Sequence, residues 1–222
     1  YSIATDVLGV LVEKISGEPL DQYLKKHIFD PLGMVDTFFK VPVNKRERFI
    51  PNYSYNKKTK KAEKLNNEYF SNKPSSRSYY NPEFLSGGGG LVSTAKDFMI
   101  FSESLRNNGE LNGARIINEE TLNLMIKNQL PYGVEFTGSS GEPQNWYGDS
   151  IKFGLGFGII NDPEYLKSSG SVGEYFWSGA AGTFFWIDPK KEIIVVTLIQ
   201  LMNNPYPIRQ QIKEAVYQSL IE

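Results

Sequence analysis

Between Phe153 and Leu201 the sequence sets down strand after strand with no helix among them. The runs Phe153–Ile160, Glu174–Ser178, Thr183–Ile187 and Glu192–Leu201 are rich in aromatic and β-branched residues, and turn residues such as Asp188-Pro189-Lys190-Lys191 part them. Strands joined by such turns pair antiparallel, because a parallel crossover needs about a dozen residues or more. A meander of this kind is the tightest constraint on the fold, and it rules out a doubly wound parallel sheet.

Upstream the texture is helical and irregular. Ile3, Val7, Leu11 and Ile15 fall on one stripe of a helix over Ile3–Ile15, with Ser16-Gly17 as its stop. A second helix is expected over Leu20–Ile28, ended by Asp30-Pro31. From Val41 to Ser86 no period holds, a long excursion of the kind that is functional or mobile. Gly87-Gly88-Gly89-Gly90 closes it. Ser93 or Thr94 caps a helix to Asn107, another covers Asn118–Lys127, and a last one covers Pro207–Ile221. The fold class is α+β. A helical and loop-rich part spans residues 1–150, and antiparallel strands with a C-terminal helix span residues 151–222.

The chemistry is narrowed mostly by exclusion. Lys and Arg number 24 against 25 Asp and Glu, a net charge of −1 that supplies no field for nucleic acid. The longest apolar run, Ile193–Met202, is broken by Thr197 and Gln200 and is too short to span a bilayer. Cysteine is absent, so disulfides, thiol nucleophiles and zinc–thiolate sites are excluded. A Ser-His-Asp triad would have to use His27, which reads as a structural residue on an apolar helix face. No G-x-S-x-G elbow, phosphate-binding glycine motif or metal-ligand set occurs, and no cofactor or metal is expected.

Ser-x-x-Lys, which sets an amine one helical turn from a hydroxyl, occurs twice. Ser54-Tyr55-Asn56-Lys57 lies in a Lys/Asn loop with nothing to fix its geometry. Ser93-Thr94-Ala95-Lys96 opens a helix, where Ser93 or Thr94 as a cap and Lys96 as an exposed side chain are the better reading. One stretch remains unexplained, Trp177-Ser178-Gly179-Ala180-Ala181-Gly182. Small residues stand there where strands pack bulky ones, which marks either a close-approaching ligand or a tight bend.

Four stretches, in order, resemble one family: "YSIATDVLGVLVEKISGEPLDQYLKKHIFDPLGMVDTFF", "GGGGLVSTAKDFMIFSESLRNNGEL", "FGLGFGII" and "WSGAAGTFFWIDPKKEIIVVTLIQ". They resemble the penicillin-recognising serine hydrolases, in the branch around class C β-lactamases that also holds esterases, transesterases and D-amino-acid peptidases. The resemblance covers nearly the whole chain and implies a β-lactamase/transpeptidase-like fold, with both parts of the chain belonging to one catalytic domain.

The resemblance also implies roles. Tyr1-Ser2-Ile3 matches the family's tyrosine motif, making Tyr1 the catalytic group that relays protons. Trp177-Ser178-Gly179 matches its strand triplet, and the next residue, Ala180, would offer its backbone N–H to the oxyanion. On this reading the small residues after Gly179 keep the strand thin for an acyl group. The family's nucleophilic Ser-x-x-Lys precedes its tyrosine, so that motif is expected upstream of Tyr1. The chain would then be a C-terminal portion, inert alone, whose partner is the N-terminal segment of the same protein.

Two departures shape the substrate. Ile3 stands where β-lactamases use an Asn for the substrate amide, and Trp177 with Ser178 replaces the Lys-Thr pair that reads the substrate carboxylate. Ile3, Trp177, Ser178 and Gly179 are the expected substrate-binding residues. A serine esterase or transesterase is therefore expected, acting on a small-molecule ester or amide, with an uncharged or aromatic acyl ester the best match to a Trp-lined groove. β-Lactamase or D-Ala peptidase activity and a non-catalytic ligand-binding relative are the alternatives. The residues themselves leave the compartment open, and the resemblance implies a periplasmic or other extracytoplasmic one.

Overall fold

The computed structural model describes residues 3–65, 73, 78–132, 134 and 150–220. Helix α1 (Ala4–Ser16) ends on Gly17, whose φ of 72° suits a residue without a side chain. Only Gly9 of α1 is buried. The stripe of Ile3, Val7, Leu11 and Ile15 faces outward instead, at 77%, 59%, 49% and 79% exposure. A Cβ on Gly9 would press on Leu20, so α1 rests on its small-residue side.

The second helix does not stop at Asp30-Pro31. Helix α2 (Leu20–Leu24) widens into a π-helical stretch, Lys25–Phe29, and runs on as α3 (Asp30–Leu32) to Gly33. The Asp30 N–H reaches back to the Lys25 carbonyl, and this wider winding makes room for the Pro31 ring, which clashes with a normal helical turn. Phe29, Leu32 and Met34 then form a small core with Ile100, Phe101, Leu111 and Ile116.

The excursion after Val41 holds more order than its composition suggests. It contains a 3₁₀ helix (Val43–Arg48) and a hairpin of β1 (Tyr53–Asn56) and β2 (Lys61–Lys64). Strand β1 also pairs in parallel with β10 (Leu201–Met202), Tyr53 opposite Leu201. Such a strand is specified by a distant partner rather than by alternation along itself.

Helix α4 (Ala95–Arg106) starts on Thr94, whose Oγ1 accepts the Asp97 N–H at 3.1 Å. A two-stranded ribbon, β3 (Glu110–Leu111) with β4 (Ala114–Arg115), leads to α5 (Glu119–Met125), capped by Asn118. The meander is β5 (Ile151–Phe153), β6 (Gly158–Ile160), β7 (Tyr175–Ser178), β8 (Phe184–Asp188) and β9 (Ile193–Thr197), each antiparallel to the next. The single strand expected over Phe153–Ile160 is two strands. Gly156, with φ of 94°, turns the chain, and a Cβ on Gly154 would run into the Met125 carbonyl at the end of α5.

Strand β8 is buried throughout because both faces of the sheet are covered. On one face Tyr175, Trp177, Phe185 and Ile187 pack with Phe98, Leu105 and Leu122 of α4 and α5. On the other, Trp186 stacks on Tyr217 of α6 (Ile208–Gln218), ring centroids 6.4 Å apart. Among the described residues no helix is long and apolar enough to cross a membrane.

Candidate functional site

The run of small residues is the connection between β7 and β8. Trp177 and Ser178 close β7, opposite Phe185 and Phe184. The Gly179 N–H donates to the Thr183 carbonyl at 2.8 Å, and the Gly182 N–H to the Gly179 carbonyl at 3.1 Å. Residues 179–182 are therefore a tight turn, and the expected thin extension of the strand is corrected on that point. Gly182 has φ of 94°, which L side chains rarely adopt, and a Cβ on Gly179 would collide with the Thr183 hydroxyl.

This turn is held from two further elements. The Ala181 carbonyl accepts the Leu201 N–H of β10 at 2.8 Å. The Gly179 carbonyl accepts Nη2 of Arg209, in the first turn of α6, at 2.6 Å. The Ala180 N–H has no hydrogen-bond partner among the described residues, and Ala180 is exposed. An immobilised, unspent N–H at a strand end can take a negative oxygen. Trp177 turns to the helical side of the sheet, where its ring meets the edge of Phe153 at a centroid distance of 5.4 Å.

Ile3 belongs to a second neighbourhood, at the entry to α1, where its carbonyl accepts the Val7 N–H at 3.0 Å. The glycine run clamps that first turn. Asp6 Oδ1 accepts Ser86 Oγ–H at 2.6 Å and the Gly88 N–H at 3.2 Å. Gly87 lies so close to the Thr5 carbonyl that no Cβ would fit. Tyr1 and Ser2, the start of the tyrosine motif, lie outside the described residues.

Ser93 is engaged elsewhere. Its hydroxyl lies 2.8 Å from Thr37 Oγ1, and that threonine donates to Asp97 Oδ2 at 2.9 Å. With Thr94 as the cap and Lys96 exposed, this Ser-x-x-Lys joins α4 to the segment after α3. His27 packs against Tyr23, ring centroids 4.5 Å apart. Arg209 was missed in the sequence, although a cation in the first turn of a helix opposes the helix dipole and is a signal in itself.

Residues 1–217 match the family model described as beta-lactamase. An uncharacterized protein of Mycobacterium tuberculosis (strain CDC 1551 / Oshkosh) is 32% identical over 203 residues, 90% of this chain and 48% of that protein. A putative D-alanyl-D-alanine carboxypeptidase of Escherichia coli (strain K12) is 26% identical over 218 residues, 90% of this chain and 43% of that protein. The solved structure of EstCE1, described as a hydrolase with promiscuous acyltransferase activity, superposes with a TM-score of 0.78 at 25% identity, over 98% of this chain and 55% of that one. The chain spans about half the length of the curated relatives it matches.

Proposed function

The chain belongs to the beta-lactamase family, and from that premise we propose that the protein is a serine hydrolase working through an acyl-enzyme on small uncharged esters. The observation that carries the reading is the turn after β7, where the exposed Ala180 N–H has no hydrogen-bond partner among the described residues and follows the aromatic Trp177 by three positions. In the reaction a serine oxygen adds to the ester carbonyl and Tyr1 takes the serine proton. The carbonyl oxygen, now negative, lies on the Ala180 N–H. Collapse expels the alcohol, which leaves with the proton from Tyr1, and water or a second alcohol then takes the acyl group by the reverse sequence.

The serine and its lysine are those of the family's first motif, which precedes its tyrosine. Trp177 and Ser178 bring no cation to the substrate and Ile3 brings no amide, which favours neutral acyl groups over β-lactams. The relative named as a D-alanyl-D-alanine carboxypeptidase supports peptidase chemistry as the second reading.

The test compares kcat/KM of the full-length protein on p-nitrophenyl butyrate, a chromogenic cephalosporin and a D-alanyl-D-alanine peptide. The ester is expected to lead by about tenfold or more, the worth of one lost charge-assisted contact. Equal or better turnover of the peptide would establish the second reading. No turnover of any of them would make the protein a ligand-binding relative.

A further inference from the structure

The Gly179 carbonyl and the Ala180 N–H are two ends of one peptide unit. In a trans peptide they point in opposite directions. Whatever fixes the carbonyl therefore fixes the aim of the N–H. Two donors converge on that carbonyl, the Gly182 N–H at 3.1 Å and the Arg209 guanidinium at 2.6 Å. The guanidinium donor is charged and short, the stronger kind of hydrogen bond. It also meets the carbonyl end of that peptide, opposite the Ala180 N–H. A cation pulling electron density through the carbonyl makes the N–H on the same peptide a better donor, as hydrogen bonds in series reinforce one another.

The placement of Arg209 fits this role better than a role in α6. It sits in that helix's first turn, where the exposed N–H groups already make the helix end positive and a cation adds nothing to the helix itself. Its guanidinium also lies 5.9 Å from the Phe184 ring centroid, on the strand that leaves the same turn. The side chain thus spans from α6 to both limbs of the turn.

We propose that Arg209 is a positioning residue for the oxyanion site, aiming and strengthening the Ala180 N–H through the Gly179–Ala180 peptide. The proposal rests on the reading of Ala180 as the oxyanion donor.

The test uses the full-length protein, p-nitrophenyl butyrate as a substrate without charge, and phenylboronic acid as a mimic of the tetrahedral state. A neutral ester silences any role of Arg209 in reading a substrate carboxylate. Arg209→Met is expected to lower kcat about tenfold with KM within about twofold, and to raise the phenylboronic acid Ki by the same factor as kcat falls. Arg209→Lys keeps the charge and is expected to recover part of both. A loss in KM alone, or a kcat and Ki equal to wild type in Arg209→Met, would overturn the proposal.

Ala180→Pro, which removes the N–H, separates this from failure of the reading beneath. An inactive Ala180→Pro beside an unaffected Arg209→Met refutes the positioning role and keeps the oxyanion donor. A fully active Ala180→Pro refutes both. Should Ala180→Pro not fold, the parallel between kcat and Ki in Arg209→Met and Arg209→Lys decides alone.

Discussion

Replacing Lys213 with Met probes a buried polar cluster between the sheet and α6. Glu174, 1% exposed, receives Lys213 Nζ on Oε1 at 2.5 Å, while Tyr217 Oη lies 2.8 Å from its Oε2 and 2.7 Å from Asp188 Oδ2. The phenol has one proton for two carboxyls. Burial pushes the Glu174 carboxyl above its ordinary 4.5, against the opposing pull of Lys213 and Tyr217. A carboxyl raised in the folded state binds more protons folded than unfolded. Its contribution to stability is therefore complete below pH 4.5 and is lost as pH rises through the folded value.

Without Lys213 the two pulls from its ammonium vanish, so the folded value climbs and the loss with pH steepens. Breaking one side of a buried pair costs about 3–5 kcal/mol when the remaining charge stays uncompensated. Here Glu174 escapes by taking up a proton, so the cost is expected near the lower end, about 3 kcal/mol, at pH 8. It should shrink toward pH 5. Urea denaturation followed by tryptophan fluorescence reads this directly, because Trp186 stacks on Tyr217. Lys213→Met, Glu174→Gln and the double variant would be titrated between pH 5 and 8. Glu174→Gln should flatten the slope, and the double variant should follow it. A Lys213→Met cost that is the same at every pH would refute this linkage.

Ser93→Ala is expected to leave ester turnover of the full-length protein unchanged, since its hydroxyl serves Thr37; a loss of activity without a fall in melting temperature would reinstate it as a nucleophile. Thr94→Ala should cost about 1 kcal/mol by denaturant titration, the usual worth of a helix cap. Gly154→Ala drives a methyl into the Met125 carbonyl and should destabilise by about 1–3 kcal/mol or more, seen as a lower melting temperature.

The elements whose signals are local were legible in the sequence. Thr94 and Asn118 cap the helices they announce, and the aromatic and β-branched runs from Glu174 onward form neighbouring strands. What escaped was set by distant partners. Apolar spacing on α1 reveals a stripe but not which side meets the protein, and Gly9, lying against Leu20, decided it. Asp30-Pro31 reads as a stop until the π-helical winding before it is known. Phe153–Ile160 looks continuous because Gly154 and Gly156 carry no apolar penalty in a strand pattern. The resemblance pointed to Trp177 through Ala180 as a candidate, whereas Arg209 meets Gly179 only after the sheet and α6 have formed.

The pairing of β1 with β10 has a consequence for how this chain folds. Asn203 Nδ2 reaches Ser54 Oγ at 3.1 Å across 149 positions of sequence, beside the same strand whose Leu201 holds Ala181. Contacts of such separation form late, since the long loop must close before any bond rewards it. The hairpins of the meander and α4 are local and can assemble first. During refolding, tryptophan burial should therefore run ahead of the last tie on the 179–182 turn. A nascent molecule would look finished by its fluorescence while its turn was still free to move.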